Sequence, residues 1–138
     1  MAEEILVKEV LSSEEIEAGK ELLGRLDAAK LEVIAAYWIF DPEVGVWRLE
    51  FVSPLVKSKG PLWFYAKIDN LLDAEPKLSS RLDFSVINIQ GPNYSFYKEL
   101  VSAVKSRKEL SEVRLNRILV AGQLVDLYIY RLQTRTGY

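Results

Sequence analysis

The run Val33 to Phe40, VIAAYWIF, constrains this chain more than any other segment. Both alternating sets of a strand through it are apolar: Val33, Ala35, Tyr37 and Ile39 on one side, Ile34, Ala36, Trp38 and Phe40 on the other. Successive strand side chains point to opposite faces, so such a strand is at home only inside a sheet that carries a layer on each side. The run is far short of the roughly 18 apolar residues that would span a bilayer.

Neighbouring segments supply the rest of the sheet. Asp41-Pro42-Glu43-Val44-Gly45 carries turn chemistry, with Pro fixing φ and Gly free to take a positive φ. Val46 to Ser53 then returns antiparallel, Trp47, Leu49 and Phe51 alternating with Arg48 and Glu50 as in a half-buried strand. A further strand is expected from Phe84 to Gln90, stopped by Gly91-Pro92. Val113 to Ala121 and Leu124 to Leu132 read as a hairpin around Gly122-Gln123, with Gly suited to the first turn position.

Three helices complete the pattern. Ser12 caps the first, Glu15 returns the capping box and Leu11 staples onto Ile16. That helix runs to about Lys30, burying Ile16, Gly19, Leu22, Leu23, Leu26 and Ala29 and exposing Glu14, Glu17, Glu21 and Arg25. Gly19 and Gly24 each cost about 1 kcal/mol relative to Ala, so a close backbone crossing is expected at one of them at least. Gly60-Pro61 starts the second helix, which reaches about Asp73 with Phe64, Tyr65, Ile68, Leu71 and Leu72 inward. Asn93 caps the third, which carries Phe96, Tyr97, Leu100, Val101 and Val104 on one side and reaches about Lys108.

The order α-β-β-α-β-α-β-β predicts an α+β fold: a single mixed, mostly antiparallel five-stranded sheet with three helices packed on it. With 138 residues, one core suffices. We expect a single domain over residues 1–132 and a poorly ordered tail over 133–138.

Trp47-Arg48-Leu49-Glu50-Phe51-Val52-Ser53-Pro54-Leu55-Val56, with Lys59-Gly60-Pro61 and the closing Leu127-Tyr128-Ile129-Tyr130-Arg131-Leu132, is similar to segments of small uncharacterised prokaryotic α+β proteins. The resemblance implies the hairpin and helix start already read, and a bacterial or archaeal cytoplasmic source. It carries no activity.

Two absences limit the chemistry. With neither Cys nor His, the chain has no thiol nucleophile, no Ser-His-Asp triad, no conventional zinc site and no imidazole switch. Ser95-Phe96-Tyr97-Lys98 and Ser102-Ala103-Val104-Lys105 match S-x-x-K, but both fall on the polar side of the third helix, where Lys stays protonated. Asp41, Glu43, Glu50, Asp69, Asp73, Asp83 and Asp126 are the acids available for a hydrolytic pair or a magnesium site, and no spacing singles any out. A nuclease-type [DE]-x-K fails at Glu50, which Val52 follows two places on. We therefore expect no catalytic residue, no metal ligand and no cofactor. The acidic start, MAEEILVKEV, lacks the basic flank of a signal peptide and favours the cytoplasm.

What remains is surface chemistry. Residues 1–50 hold 12 acidic and 5 basic residues, net −7, and residues 51–138 hold 8 and 13, net +5. Such polarity can steer a charged partner or align two copies head to tail. Trp63 falls on the polar side of the second helix, between Asn70 and Lys67, where it is either an interface anchor or covered by the Leu55-Val56 connector. The primary expectation is a non-enzymatic interaction module that self-associates, with Trp63, Lys67, Tyr128 and Tyr130 as contact residues and the last strand available at a sheet edge. A second expectation is nucleic-acid binding along Lys98, Lys105, Arg107, Lys108, Arg114 and Arg117. A third is an anion site where Lys57, Lys59 and Gly60 meet free helix amides.

Overall fold

A computed structural model describes residues 10–104 and 112–133. The fold is α+β, with one mixed five-stranded sheet in the order β3-β2-β1-β5-β4. Strand β1 (Ala35–Asp41) lies at its centre, between β2 (Val46–Val52) and β5 (Gln123–Leu132). β3 (Ile87–Gln90) pairs parallel to β2, and all other pairs, including that of β4 (Val113–Val120) with β5, are antiparallel. The doubly apolar run thus sits where its two faces demand.

Helix α1 (Ser13–Ala28) and helix α3 (Pro61–Asp73) cover one face. The capping box at Ser12 and Glu15 forms, each partner within about 3.0 Å. Their buried side chains, Leu22, Leu26, Phe64, Ile68 and Leu72, close on Trp38, Leu49, Phe51 and Ile89. Helix α5 (Ser95–Val104) covers the other face, laying Tyr97, Leu100 and Val104 on Ala35, Tyr37, Leu127 and Ile129. β3 and β4 are the two edges, so the chain that leaves β3 through α5 crosses the whole sheet before β4 begins.

Several boundaries differ from the sequence pattern for physical reasons. Two short helices join the three expected ones: α2 (Leu55–Lys59) and α4 (Pro76–Ser79). Ser53, fully buried, makes α2 possible, because its hydroxyl donates to the Leu31 carbonyl at 2.8 Å and accepts from the Leu55 amide. The segment expected as strand from Phe84 begins as a 3-10 turn over Phe84–Val86, held by the Asp83 carboxylate on the Ser85 amide. In the β4–β5 hairpin the turn is Ala121-Gly122, φ 54° and 81°, so Gly occupies the second central position of a turn with two positive φ values, not the first. Gln133, expected at the head of a loose tail, donates to the Ile34 carbonyl and accepts from Tyr97; residues 134–138 lie outside the described residues.

Neither edge offers a long free ladder. On β3, the Tyr65 hydroxyl accepts the Ile89 N–H at 3.0 Å. On β4, one extra residue intrudes between Leu115 and Ile118: Arg117 takes φ 55° and its N–H donates to the Asp126 carboxylate at 2.8 Å. Bulges and caps of this kind protect edges from strand addition. No helix among the described residues is long and apolar enough to cross a membrane.

Candidate docking surface on helix α3

Helix α3 opens at Gly60, whose φ of 90° makes the corner after α2, with Pro61 in the first helical position. Phe64, Ile68 and Leu72 take the inner side. Since residues advance about 100° each, Trp63 and Lys67 fall on one flank of the exposed side, and Leu62, Asp69 and Asp73 on the other, with Ala66 and Asn70 between. Leu62 is 82% exposed, the highest value among the large hydrophobic side chains of the described residues.

Trp63 is half-buried. Its indole stands edge-on to Phe64, ring centroids 6.2 Å apart, while Lys59 and Lys67 bring ammonium groups to 5.7 Å and 5.2 Å from its ring. Cation–π contacts at exposed sites are worth roughly 0.5–1 kcal/mol each, enough to order the two lysines along the ring without removing them from water. The result is a stripe of two cations around one aromatic plane, with the exposed Leu62 on the other flank of the helix.

On the acidic flank of α3 lies a hollow of about 460 Å³. Leu72, Leu82 and Phe84 give it an apolar lining, and Glu15, Asp69, Asp73 and Asp83 contribute carboxylates. Arg81, the basic residue in its wall, is engaged elsewhere: its guanidinium donates to Glu21 at 3.0 Å and to the Lys77 carbonyl at 2.9 Å. No group of acids that could hold a metal ion occurs among the described residues.

The remaining expected contact residues part company. Tyr130 is 5% exposed and belongs to the core. The Trp38 indole N–H donates to its hydroxyl at 2.8 Å, and the hydroxyl donates to the Ile16 carbonyl at 2.6 Å, which ties the sheet to α1. Burial pushes the Tyr130 phenol well up. Tyr128 is half-buried against it, centroids 5.4 Å apart, near the Lys20–Glu112 pair. Neither tyrosine joins the α3 surface, and the last strand is an interior strand, since β4 takes the edge.

The basic stretch is likewise divided. Lys98 is exposed on α5, over one face of the sheet, whereas the Arg114 guanidinium lies 5.4 Å from the Trp47 ring on the other. Arg117 sits at the β4 bulge, and Lys105, Arg107 and Lys108 lie outside the described residues. The anion triad does not converge either. Lys57 borders a hollow of about 200 Å³ with Pro54, Pro92 and Asn93, Lys59 turns to Trp63, and the Gly60 amide is already donated to Val56.

Glu50 was not expected inside. It is 5% exposed, beneath the start of α5, where the Tyr94 hydroxyl donates to its Oε2 at 3.3 Å. Its Oε1, and the hydroxyl of Tyr37 opposite it on β1, have no partner in hydrogen-bonding geometry. Burial raises the Glu50 carboxyl above its ordinary range, and burial together with the Glu50 charge lifts Tyr94 to about 12. The alternation in β2 pointed Glu50 away from the core on its own side of the sheet; the signal that would have placed it is the second layer, α5, which starts over it.

Comparison with protein-family models, with curated proteins and with solved structures finds no match to this chain. The resemblance carried by Trp47–Val56, Lys59–Pro61 and Leu127–Leu132 therefore rests on those segments alone.

Proposed function

We propose that this chain is a non-enzymatic interaction module that self-associates in the cytoplasm through the exposed side of α3. One observation carries the reading: the exposed side of α3 presents Leu62, 82% exposed, on one flank and, on the other, an indole that two lysines bracket. Tryptophan at a surface brings large apolar area at small rotamer cost, which is why it anchors interfaces. A hydroxyl cap on β3 and a bulge in β4 interrupt the sheet edges and disfavour strand addition, which supports the same choice. Cytoplasmic placement and a prokaryotic source rest on the resemblance of Trp47–Val56, Lys59–Pro61 and Leu127–Leu132 to small prokaryotic proteins. Nucleic-acid binding has less support, because Lys98 and Arg114 lie over opposite faces of the sheet, and anion binding has less because Lys57, Lys59 and Gly60 do not converge.

Light scattering over a concentration series tests the reading. The wild-type chain should associate, and Leu62→Asp or Trp63→Asp should weaken association while leaving the far-UV circular dichroism unchanged. Trp38 and Trp47 are 1% and 3% exposed, so acrylamide quenching reports chiefly on Trp63 and should fall as association proceeds. A monomer at every concentration, or an oligomer indifferent to both substitutions, would refute it.

A further inference from the structure

We propose that the two flanks of α3 are complementary halves of one isologous interface: a second copy of this chain, related by a two-fold axis, seats its Lys59–Trp63–Lys67 stripe in the acidic hollow of the first and receives the same in return. The proposal rests on the reading of α3 as a docking surface and adds the occupant and its register.

The match is chemical at each point. The stripe presents an indole between two ammonium groups. The hollow presents Phe84, over the buried Leu72 and Leu82, with carboxylates around it and, in its wall, an Arg81 already paired with Glu21. Phe84, 37% exposed, offers an aromatic edge to an incoming indole. Asp69 and Asp73 make no salt bridge among the described residues, and neither do Lys59 and Lys67, so both sets of charges are free to pair across an interface.

Placement does the rest. A two-fold axis lying in an interface exchanges two patches when it runs midway between them, so a basic stripe and an acidic hollow on neighbouring parts of one face meet in both directions. Had the two patches lain on opposite sides of the molecule, the same complementarity would have been heterologous and built a ring or an open filament. On one helix, it closes at two copies.

The test is an exchange of charge between chains. One variant carries Lys59→Glu and Lys67→Glu, the other Asp69→Lys and Asp73→Lys, all at exposed positions. Each alone opposes like charges on both halves of the interface and should dimerise roughly tenfold or more weakly than the wild type. Mixed in equal amounts, the two restore opposite charges at both contacts. Native mass spectrometry, which separates the species by mass, should then find the heterodimer in excess over either homodimer. Should the wild type dimerise in a Trp63-dependent way while the mixture forms no excess heterodimer, this pairing is wrong and the α3 reading stands. A wild type that stays monomeric removes both. If either double variant is unfolded by circular dichroism, the single variants Lys67→Glu and Asp69→Lys take the same test.

Discussion

Two glycines on one helix, Gly19 and Gly24, should respond to alanine in opposite directions. Either substitution gains about 1 kcal/mol of helix propensity, because alanine surrenders less backbone freedom on folding. Around Gly24 nothing lies within 4 Å of the added methyl, so the gain should be expressed in full. At Gly19 the methyl falls onto the Tyr130 hydroxyl, 2.9 Å from Cζ and 3.1 Å from Trp38 Nε1. Tyr130 must withdraw, and it cannot do so freely, since its hydroxyl is held at both ends and the ring is buried. Overpacking costs about 1–3 kcal/mol. A Trp38 N–H left buried without an acceptor adds roughly 1–3 kcal/mol. Set against the propensity gain, Gly19→Ala should be destabilised by roughly 1–5 kcal/mol, and its Tm should fall on the order of 10 °C, whereas Gly24→Ala should rise by a few degrees. Urea unfolding followed by tryptophan emission and by far-UV circular dichroism gives both values. If the two variants prove equally stable, the close approach of Tyr130 to α1 is not what keeps Gly19 a glycine.

Tyr130→Phe removes the middle of the same relay without adding volume; it should cost about 2 kcal/mol, read as a lower urea midpoint, and an unchanged midpoint would deny the hydroxyl its structural role. Glu50→Gln tests the buried carboxyl through pH. A folded-state pKa above the ordinary 4.5 means that the folded chain holds this proton more tightly than the unfolded one. Stability from this group is therefore greatest below the unfolded value and declines as pH rises through the raised folded value. Asp41 and Glu21, held below their ordinary range chiefly by Arg48 and Arg81, act with the opposite sign and at lower pH. Glu50→Gln should flatten the decline above pH 4.5 and leave the acid limb intact; a wild-type slope in the variant would assign the decline to other groups.

What could be read from the chain was what is encoded locally. Ser12, Glu15 and Leu11 lie within one turn of the helix they start, and Pro61 sets the first dihedral of the helix that follows it, so both starts stand where the residues put them. The doubly apolar β1 announced two layers because each face must be covered by something. Tyr130 and Glu50 were misplaced for the complementary reason. Alternation correctly set Tyr128 and Tyr130 on one face, but whether that face meets water depends on α1, which is more than a hundred positions away, as the 114-residue separation of the Tyr130–Ile16 bond records. Arg48 and Glu50 share a face of β2, yet the start of α5 lies over the second and leaves the first half-exposed. Helices α2 and α4 are shorter than two turns, so no periodicity could reveal them. The stripe on α3 was half legible: Trp63 and Lys67 are one turn apart, whereas the hollow opposite them draws residues from α1, α3, α4 and the Asp83 turn.

The bulge in β5 shows how one extra residue reaches that surface. Ala36 pairs with Arg131 and Tyr37 with Ile129, which leaves Tyr130 as the inserted residue. In a regular strand, Tyr130 and Arg131 would face opposite ways; at the bulge both turn to the α1 side. Tyr130 then holds Ile16 near the start of α1. Arg131 grips Asp27 near its end with two bonds of 2.9 Å and 2.7 Å, and also donates to the Val33 carbonyl at 2.9 Å. Bidentate guanidinium–carboxylate contacts fix direction as well as distance. With both ends of α1 tied to one strand, its first turn has a single place to go, and that place sets Glu15 in the rim of the acidic hollow beside α3. The place of Glu15 in that rim is thus set from the sheet outward, through a single inserted residue on a strand that never touches the hollow.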